Sequence, residues 1–213
     1  MNMMKFKTSK TSRVLLHKGQ SGKCFIVLHG YGMNVNRFYR SIDMIVENGH
    51  SLVVPEALSR YYNTGASGKV VASWMTSDER SDDILDNHNY LRELIDRLKA
   101  EGAFDDIEQM FLVGYSQGAA TAARFAFMEH SSIDYLILWG SDLPTDLSED
   151  ILRSNRNSLK VHFIVGDSDE YVKIENVTES MAKLSKLDVS TDMYIYNGRH
   201  KVTEVALTHL IKI

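Results

Sequence analysis

The chain has little that would cross-link or stiffen it. Cys24 is its only cysteine, so no disulfide can form within it. Its neighbours Phe25, Ile26, Val27 and Leu28 read as a buried strand, where a thiol serves as a small hydrophobe. Prolines stand only at Pro55 and Pro144. There are no repeats, low-complexity stretches or linkers, so a single domain over 1–213 is expected. No apolar run reaches the roughly 18 residues that a membrane-spanning helix needs, which argues against stable membrane insertion. The opening "MNMMKFKTSK" is charged but lacks the apolar core of a secretory signal. Positive charge is also in short supply: 24 Lys and Arg face 28 Asp and Glu, a net charge of −4. That leaves no basic footprint for nucleic acid. These absences point to a cytoplasmic domain, monomeric or homodimeric, with no nucleic-acid partner and no cofactor or metal.

What is present is a rhythm of short apolar runs. Five stand out: "CFIVLHG" (24–30), "SLVVPEA" (51–57), "MFLVGYS" (110–116), "YLILWGS" (135–141) and "VHFIVGD" (161–167). Continuous rather than alternating apolarity suits parallel strands buried on both faces. Helical patterns fill the intervals. In 81–100, Ile84, Leu91, Leu94, Ile95 and Leu98 share one stripe behind a capped, acidic start at Ser81, Asp82 and Asp83. The alanine-rich 117–129 follows its strand directly and is expected to pack closely on the sheet. Residues 172–187 and 201–212 read as two more amphipathic helices. The alternation predicts an α/β fold with a mostly parallel sheet and right-handed crossovers. The stretches 5–8 and 12–17 are expected to form an antiparallel edge. Residues 59–80 read as a flexible loop that could fold over a site.

In such a sheet, functional groups gather at the carboxyl ends of the strands. His29, Ser116, Trp139 and the acidic run 167–169 all fall there. Ser116 lies in Gly114-Tyr115-Ser116-Gln117-Gly118, a G-x-S-x-G pattern between a strand and a helix. That is the setting of a nucleophile elbow, a tight turn that lifts the hydroxyl above the sheet. Strand and helix must then approach closely, and Gly114 and Gly118 leave the room. An ordinary helix N-cap serine is the competing reading.

A serine hydroxyl is inert until a base takes its proton. In this architecture the acid and the histidine follow the serine in the order Ser, Asp or Glu, His. Asp167, Asp169 and Glu170 lie after one late strand, and His200 follows "MYIYNG", the last one. Asp169 is the expected partner of His200, with Asp167 tying down its own loop. His209 falls mid-helix, His162 within a strand and His130 at a helix end, and all three read as structural. An oxyanion needs two backbone donors. The Gln117 N–H is one, and the glycine-flanked Tyr31 N–H is the other. His29, just before that glycine loop, reads as its brace.

Together these pieces resemble the α/β-hydrolase superfamily and, within it, the phospholipase/carboxylesterase family that includes acyl-protein thioesterases. The resemblance is carried by "LHGYG" (28–32), "SWM" (73–75), "GYSQGAA" (114–120), "WGSDLP" (139–144), "VGDSDEYV" (165–172) and "GRH" (198–200). It implies an α/β-hydrolase fold with helices on both faces of the sheet and no large lid domain. It also implies a Ser116–Asp169–His200 triad with Tyr31 and Gln117 as oxyanion donors. The family usually has Trp-Phe-Asp where this chain has Trp74-Met75-Thr76, and proline where it has Glu170. The implied activity is hydrolysis of a carboxylic ester or thioester; bulky residues around the strand ends and the lack of a long inserted lid lead us to expect short to medium acyl groups. Met33, Trp74, Met75, Trp139, Leu143 and Tyr171 are the expected substrate-binding walls, together with Tyr31. A small peptidase or amidase on the same fold, and an inactive ligand-binding relative, are the alternatives.

Overall fold

The computed structural model describes residues 2–129, 133–154 and 159–213, with the Ser154 side chain excepted. His130 lies outside the described residues. The five apolar runs become β2 (Lys23–Leu28), β3 (Ser51–Pro55), β6 (Gln109–Tyr115), β7 (Tyr135–Trp139) and β8 (Lys160–Gly166). With β1 (Val14–His17) and β9 (Ser190–Tyr196) they form one sheet in the order β1-β3-β2-β6-β7-β8-β9. Every pairing in it is parallel except β1 with β3.

The antiparallel edge is therefore β1 alone. Residues 5–8 form no strand, because their lysines have other partners: Lys5 pairs with Glu79 and Asp82, and Lys7 with Asp86. Nor is 59–80 a simple loop. It folds into a hairpin of β4 (Ser59–Tyr62) and β5 (Val70–Ser73) around a 3-10 turn at Gly65–Ser67.

Strand alternation sorts the core into two layers. Cys24, Ile26 and Leu28 face one layer, and Phe25 and Val27 the other. The first layer is covered by α3 (Arg80–Ala100), α4 (Gln117–Met128), α5 (Glu149–Ser154) and α6 (Ile174–Ser185). The second is covered by α1 (Val35–Tyr39), α2 (Met44–Glu47) and α7 (Glu204–Lys212). Leu91, Ile95 and Leu98 form the buried face of α3, with Ile84 and Leu94 partly buried beside them. The α3 cap differs from expectation: the helix begins at Arg80 behind Glu79, so Ser81 lies in its first turn with Asp82 and Asp83. Burial pushes the Cys24 thiol up to about 12, leaving it protonated and unreactive. Among the described residues no helix is long and apolar enough to cross a membrane.

Candidate active site

β6 ends at Tyr115 and α4 begins at Gln117, so Ser116 alone turns the chain. Its φ of 54° and ψ of −121° are sparsely populated for a residue with a side chain, at a cost of about 1–3 kcal/mol. The turn holds because it is tied on both sides. The Ser116 N–H donates to the Trp139 carbonyl at 2.8 Å, and its carbonyl accepts the Ala119 N–H at 2.9 Å. The two flanking glycines allow the crossing. A Cβ on Gly114 would fall 2.3 Å from the Ala119 Cα, and one on Gly118 2.4 Å from the Leu28 carbonyl oxygen.

His200 lies between β9 and α7, with its side chain nearly buried. Its Nδ1 is 2.8 Å from Asp169 Oδ2. The other carboxylate oxygen, Oδ1, accepts the N–H groups of Tyr171 and Val172 at 2.9 and 3.0 Å. A carboxylate can only accept, so Nδ1 carries the proton and Nε2 is left as the basic nitrogen. The backbone around His200 is pinned as well. Its carbonyl accepts the Tyr115 hydroxyl at 3.0 Å, and the Tyr196 hydroxyl lies 2.9 and 2.8 Å from the carbonyls of Arg199 and Lys201. Asp167 holds the preceding turn, accepting the Gly198 N–H at 3.1 Å and the Asn197 amide at 3.2 Å. Behind the imidazole stands Gly140, at φ +60°. A Cβ there would fall 2.8 Å from His200 Cε1 and 3.6 Å from Asp169 Oδ2. Gly140 follows Trp139, whose carbonyl holds Ser116, so one strand end supports both the serine turn and the histidine.

The loop after β2 supplies the third component. His29 is fully buried. Its Nε2 accepts the Ala57 N–H at 3.1 Å, which requires the proton on Nδ1, and Nδ1 donates to the Gly30 carbonyl at 2.7 Å. Burial lowers its pKa. His29 is thus a neutral brace for the glycine loop. Among the described residues, the N–H groups of Tyr31 and Gln117 have no hydrogen-bond partner in the chain. The second of these opens helix α4, where the dipole favours negative charge.

The profile of the phospholipase/carboxylesterase family matches residues 10–213. The chain belongs to the phospholipase/carboxylesterase family. A carboxylesterase from Bacillus cereus superposes with a TM-score of 0.70 at 18% identity, covering 94% of this chain and 92% of that one. Acyl-protein thioesterase 2 of Zea mays gives 0.70 at 18% identity, over 96% of this chain and 97% of that one. At such identities the likeness speaks for the fold. No curated protein matches the sequence. Family membership points to a carboxylesterase/thioesterase-type hydrolase.

The residues expected as substrate walls differ in burial. Trp74, Met75, Trp139 and Leu143 are only 1–8% exposed and belong to the core. Distant segments cover them. The Trp74 indole N–H, for example, donates to the His29 carbonyl. At the surface stand Tyr31, 61% exposed, and Tyr171, 77% exposed with its ring centre 4.9 Å from that of His200 in an edge-to-face arrangement. Met33 is partly buried and bridges backbone to backbone with Ala72. Sequence reasoning missed Tyr61, whose ring lies 5.9 Å from that of Tyr31. It also missed Gly140, Tyr115 and Tyr196. Only Gly140 carried a signal, as the glycine that ends its strand. Glu170, where the family has proline, accepts the His200 N–H at 3.3 Å. Among the described residues no group of three or more His, Cys, Asp or Glu side chains could hold a metal ion.

Proposed function

We propose that the protein hydrolyses small carboxylic esters or thioesters through an acyl-enzyme, with Ser116 as nucleophile, His200 as base and Asp169 as the acid that orients it. The observation that carries this reading is the fully buried Asp169 carboxylate, 2.8 Å from His200 Nδ1, beside a strained serine turn. His200 Nε2 takes the Ser116 proton as Oγ attacks the carbonyl carbon. The Tyr31 and Gln117 N–H groups hold the oxygen as it gains charge. Collapse expels the alcohol or thiol, which leaves with the proton from His200. Water, activated by the same nitrogen, then releases the acid and frees Ser116.

Substrates carry short or medium acyl groups in this reading. The limit is set at the mouth, by Tyr31, Tyr61 and Tyr171, since the other bulky candidates are packed inside. Two measurements test the proposal. A fluorophosphonate probe labels Ser116 in the wild type and not in Ser116→Ala. With p-nitrophenyl esters of rising acyl length, kcat/KM is higher for butyryl than for palmitoyl. Failure to label, or activity on matched amides that exceeds that on esters, overturns it.

A further inference from the structure

We infer that the side chain of Gln117, and not its backbone alone, sets the geometry of the oxyanion site. It is a positioning residue that locks the loop carrying the Tyr31 N–H to the turn carrying its own. The inference rests on the reading of the site proposed above.

Two amides can meet one oxygen only if the segments that carry them stay in register. Those segments are the elbow at 116–118 and the loop at 29–33, and residues 72–75 join them. Gln117 Oε1 accepts the Trp74 N–H at 2.9 Å, while Nε2 donates to the Met75 carbonyl at 2.7 Å; the Ser73 hydroxyl lies 2.8 Å from that carbonyl and 3.2 Å from Oε1. Both ends of the amide therefore grip the same short segment. From there the contacts continue to the loop. The Trp74 indole N–H donates to the His29 carbonyl at 2.8 Å. The Gly32 N–H donates to the Ala72 carbonyl at 3.0 Å, and the Ala72 N–H donates to the Met33 carbonyl at 2.8 Å. Tyr31 is thus held between anchored neighbours, and a hydrogen-bonded route runs from the elbow to it through the Gln117 side chain.

The burial of the route gives it force. Ser73, Trp74 and His29 are all buried, and so is Asn87, whose side-chain amide donates to the carbonyls of Trp74 and Asp83. Water cannot replace a bond lost in such a place, so the segment would shift or carry unsatisfied groups. The chemistry also selects an amide. Residue 117 must accept from the Trp74 N–H on one side and donate to the Met75 carbonyl on the other. Glutamate lacks the donor, and an apolar side chain lacks both. If the backbone N–H were the whole contribution of residue 117, any of these would serve.

The test uses Gln117→Met and Gln117→Glu, which keep the 117 N–H, and Trp74→Phe, which cuts the route at its far end. Each is assayed with p-nitrophenyl butyrate and with phenylboronic acid, whose serine adduct places an oxygen between the two donors. Gln117→Met and Trp74→Phe should each lower kcat about 10- to 100-fold, with KM little changed. Boronate affinity should fall with kcat/KM. Gln117→Glu, which sets a carboxylate oxygen against the Met75 carbonyl and beside the developing oxyanion, should lose at least as much as Gln117→Met. The Gln117→Met/Trp74→Phe double variant should lose less than the product of the single losses, because both cut one route. If Gln117→Met does not fold, Gln117→Glu and Trp74→Phe carry the comparison. Folded variants with kcat and boronate affinity within about twofold of wild type overturn the inference. So does a loss that disappears when rates are divided by the fraction of enzyme that a fluorophosphonate labels. Turnover that survives Ser116→Ala overturns the reading of the site itself, and that result is distinct from a Ser116-dependent enzyme indifferent to Gln117.

Discussion

Two histidines of this protein stand beside an aspartate, at opposite ends of the same strands. At the carboxyl ends, His200 Nδ1 lies 2.8 Å from Asp169. Toward the amino ends, His162 Nδ1 lies 3.5 Å from Asp192. The residue types match, but the surroundings do not. The Asp169 side chain is fully buried and accepts two backbone N–H groups besides the imidazole, whereas that of Asp192 is 79% exposed. The strained turn at Ser116 is tied to the Trp139 carbonyl, next to the Gly140 that backs His200. Beyond His162 lies a second imidazole, His209, with Nε2 to Nε2 at 3.0 Å, and His209 stacks on Tyr194 at 3.8 Å. A histidine–aspartate pair becomes a base only where its second nitrogen faces something to deprotonate. At the far end that nitrogen is already engaged, and the pair belongs to the packing.

The contrast breaks most sharply if turnover does not need the serine. Ser116→Ala should fold like wild type, checked by circular dichroism, and lose at least about 10⁴-fold in kcat. Retained esterase activity would put the two ends on one footing. The aspartates come next. Asp169→Asn should lower kcat by about 10²- to 10⁴-fold through loss of the oriented imidazole. Asp192→Asn should leave kcat unchanged, and Asp167→Asn should act on the melting temperature rather than on rate. A larger rate loss from Asp167→Asn, in a protein that melts like wild type, would exchange its role with that of Asp169. A smaller effect is expected at Gly140. Its positive φ and the 2.8 Å approach to His200 Cε1 mean that Gly140→Ala must move either the strand end or the imidazole. A loss of about 10- to 100-fold in kcat with ester KM little changed is expected. Steady-state kinetics that match wild type would show that the ring has room to spare.

Much of this was legible because it rests on local pattern. Continuous apolar runs gave the parallel strands, and G-x-S-x-G between a run and an alanine-rich segment gave the turn at Ser116. Asp169 and Asp167 share one loop, the first reaching His200 and the second Asn197 and Gly198. What sequence did not yield depends on contacts between distant segments. Trp74 and Trp139 look like mouth residues because they end strands, yet each is covered by chain from far away in sequence. The alternation in 5–8 imitates an edge strand, but Lys5 and Lys7 are drawn to the acidic start of α3. The hairpin at 59–73 has no strong apolar period, since Ser59, Arg60, Tyr61 and Tyr62 are at most partly buried.

The smallest effect separates the two histidines by acid rather than by rate. Burial pushes the His162 pKa down from 6.5 to about 4, with Asp192 opposing the shift and His209 adding to it. The groups around the pair are Asp192 on β9, Lys160 on β8, Lys212 on α7, and Tyr135 and Tyr194. In the unfolded chain the imidazole takes its proton near pH 6.5, but in the folded protein only near 4. Between these values the unfolded state binds the extra proton, so acid favours unfolding. The stability that depends on a neutral His162 is complete above pH 6.5 and drains away as pH falls toward 4. With solvent reaching the groove beside the pair, the loss should be on the order of 1–3 kcal/mol. His162→Gln cannot titrate, so its stability in urea should fall less than that of wild type between those two pH values. The neutral brace His29 contributes an acid dependence of the same sign, but it is present in both proteins and cancels in the difference. Equal slopes of stability against pH would mean that His162 takes up its proton as readily in the folded protein as in the unfolded chain. The burial of His162 would then not set it apart, and the distinction between the two ends would rest on the serine alone.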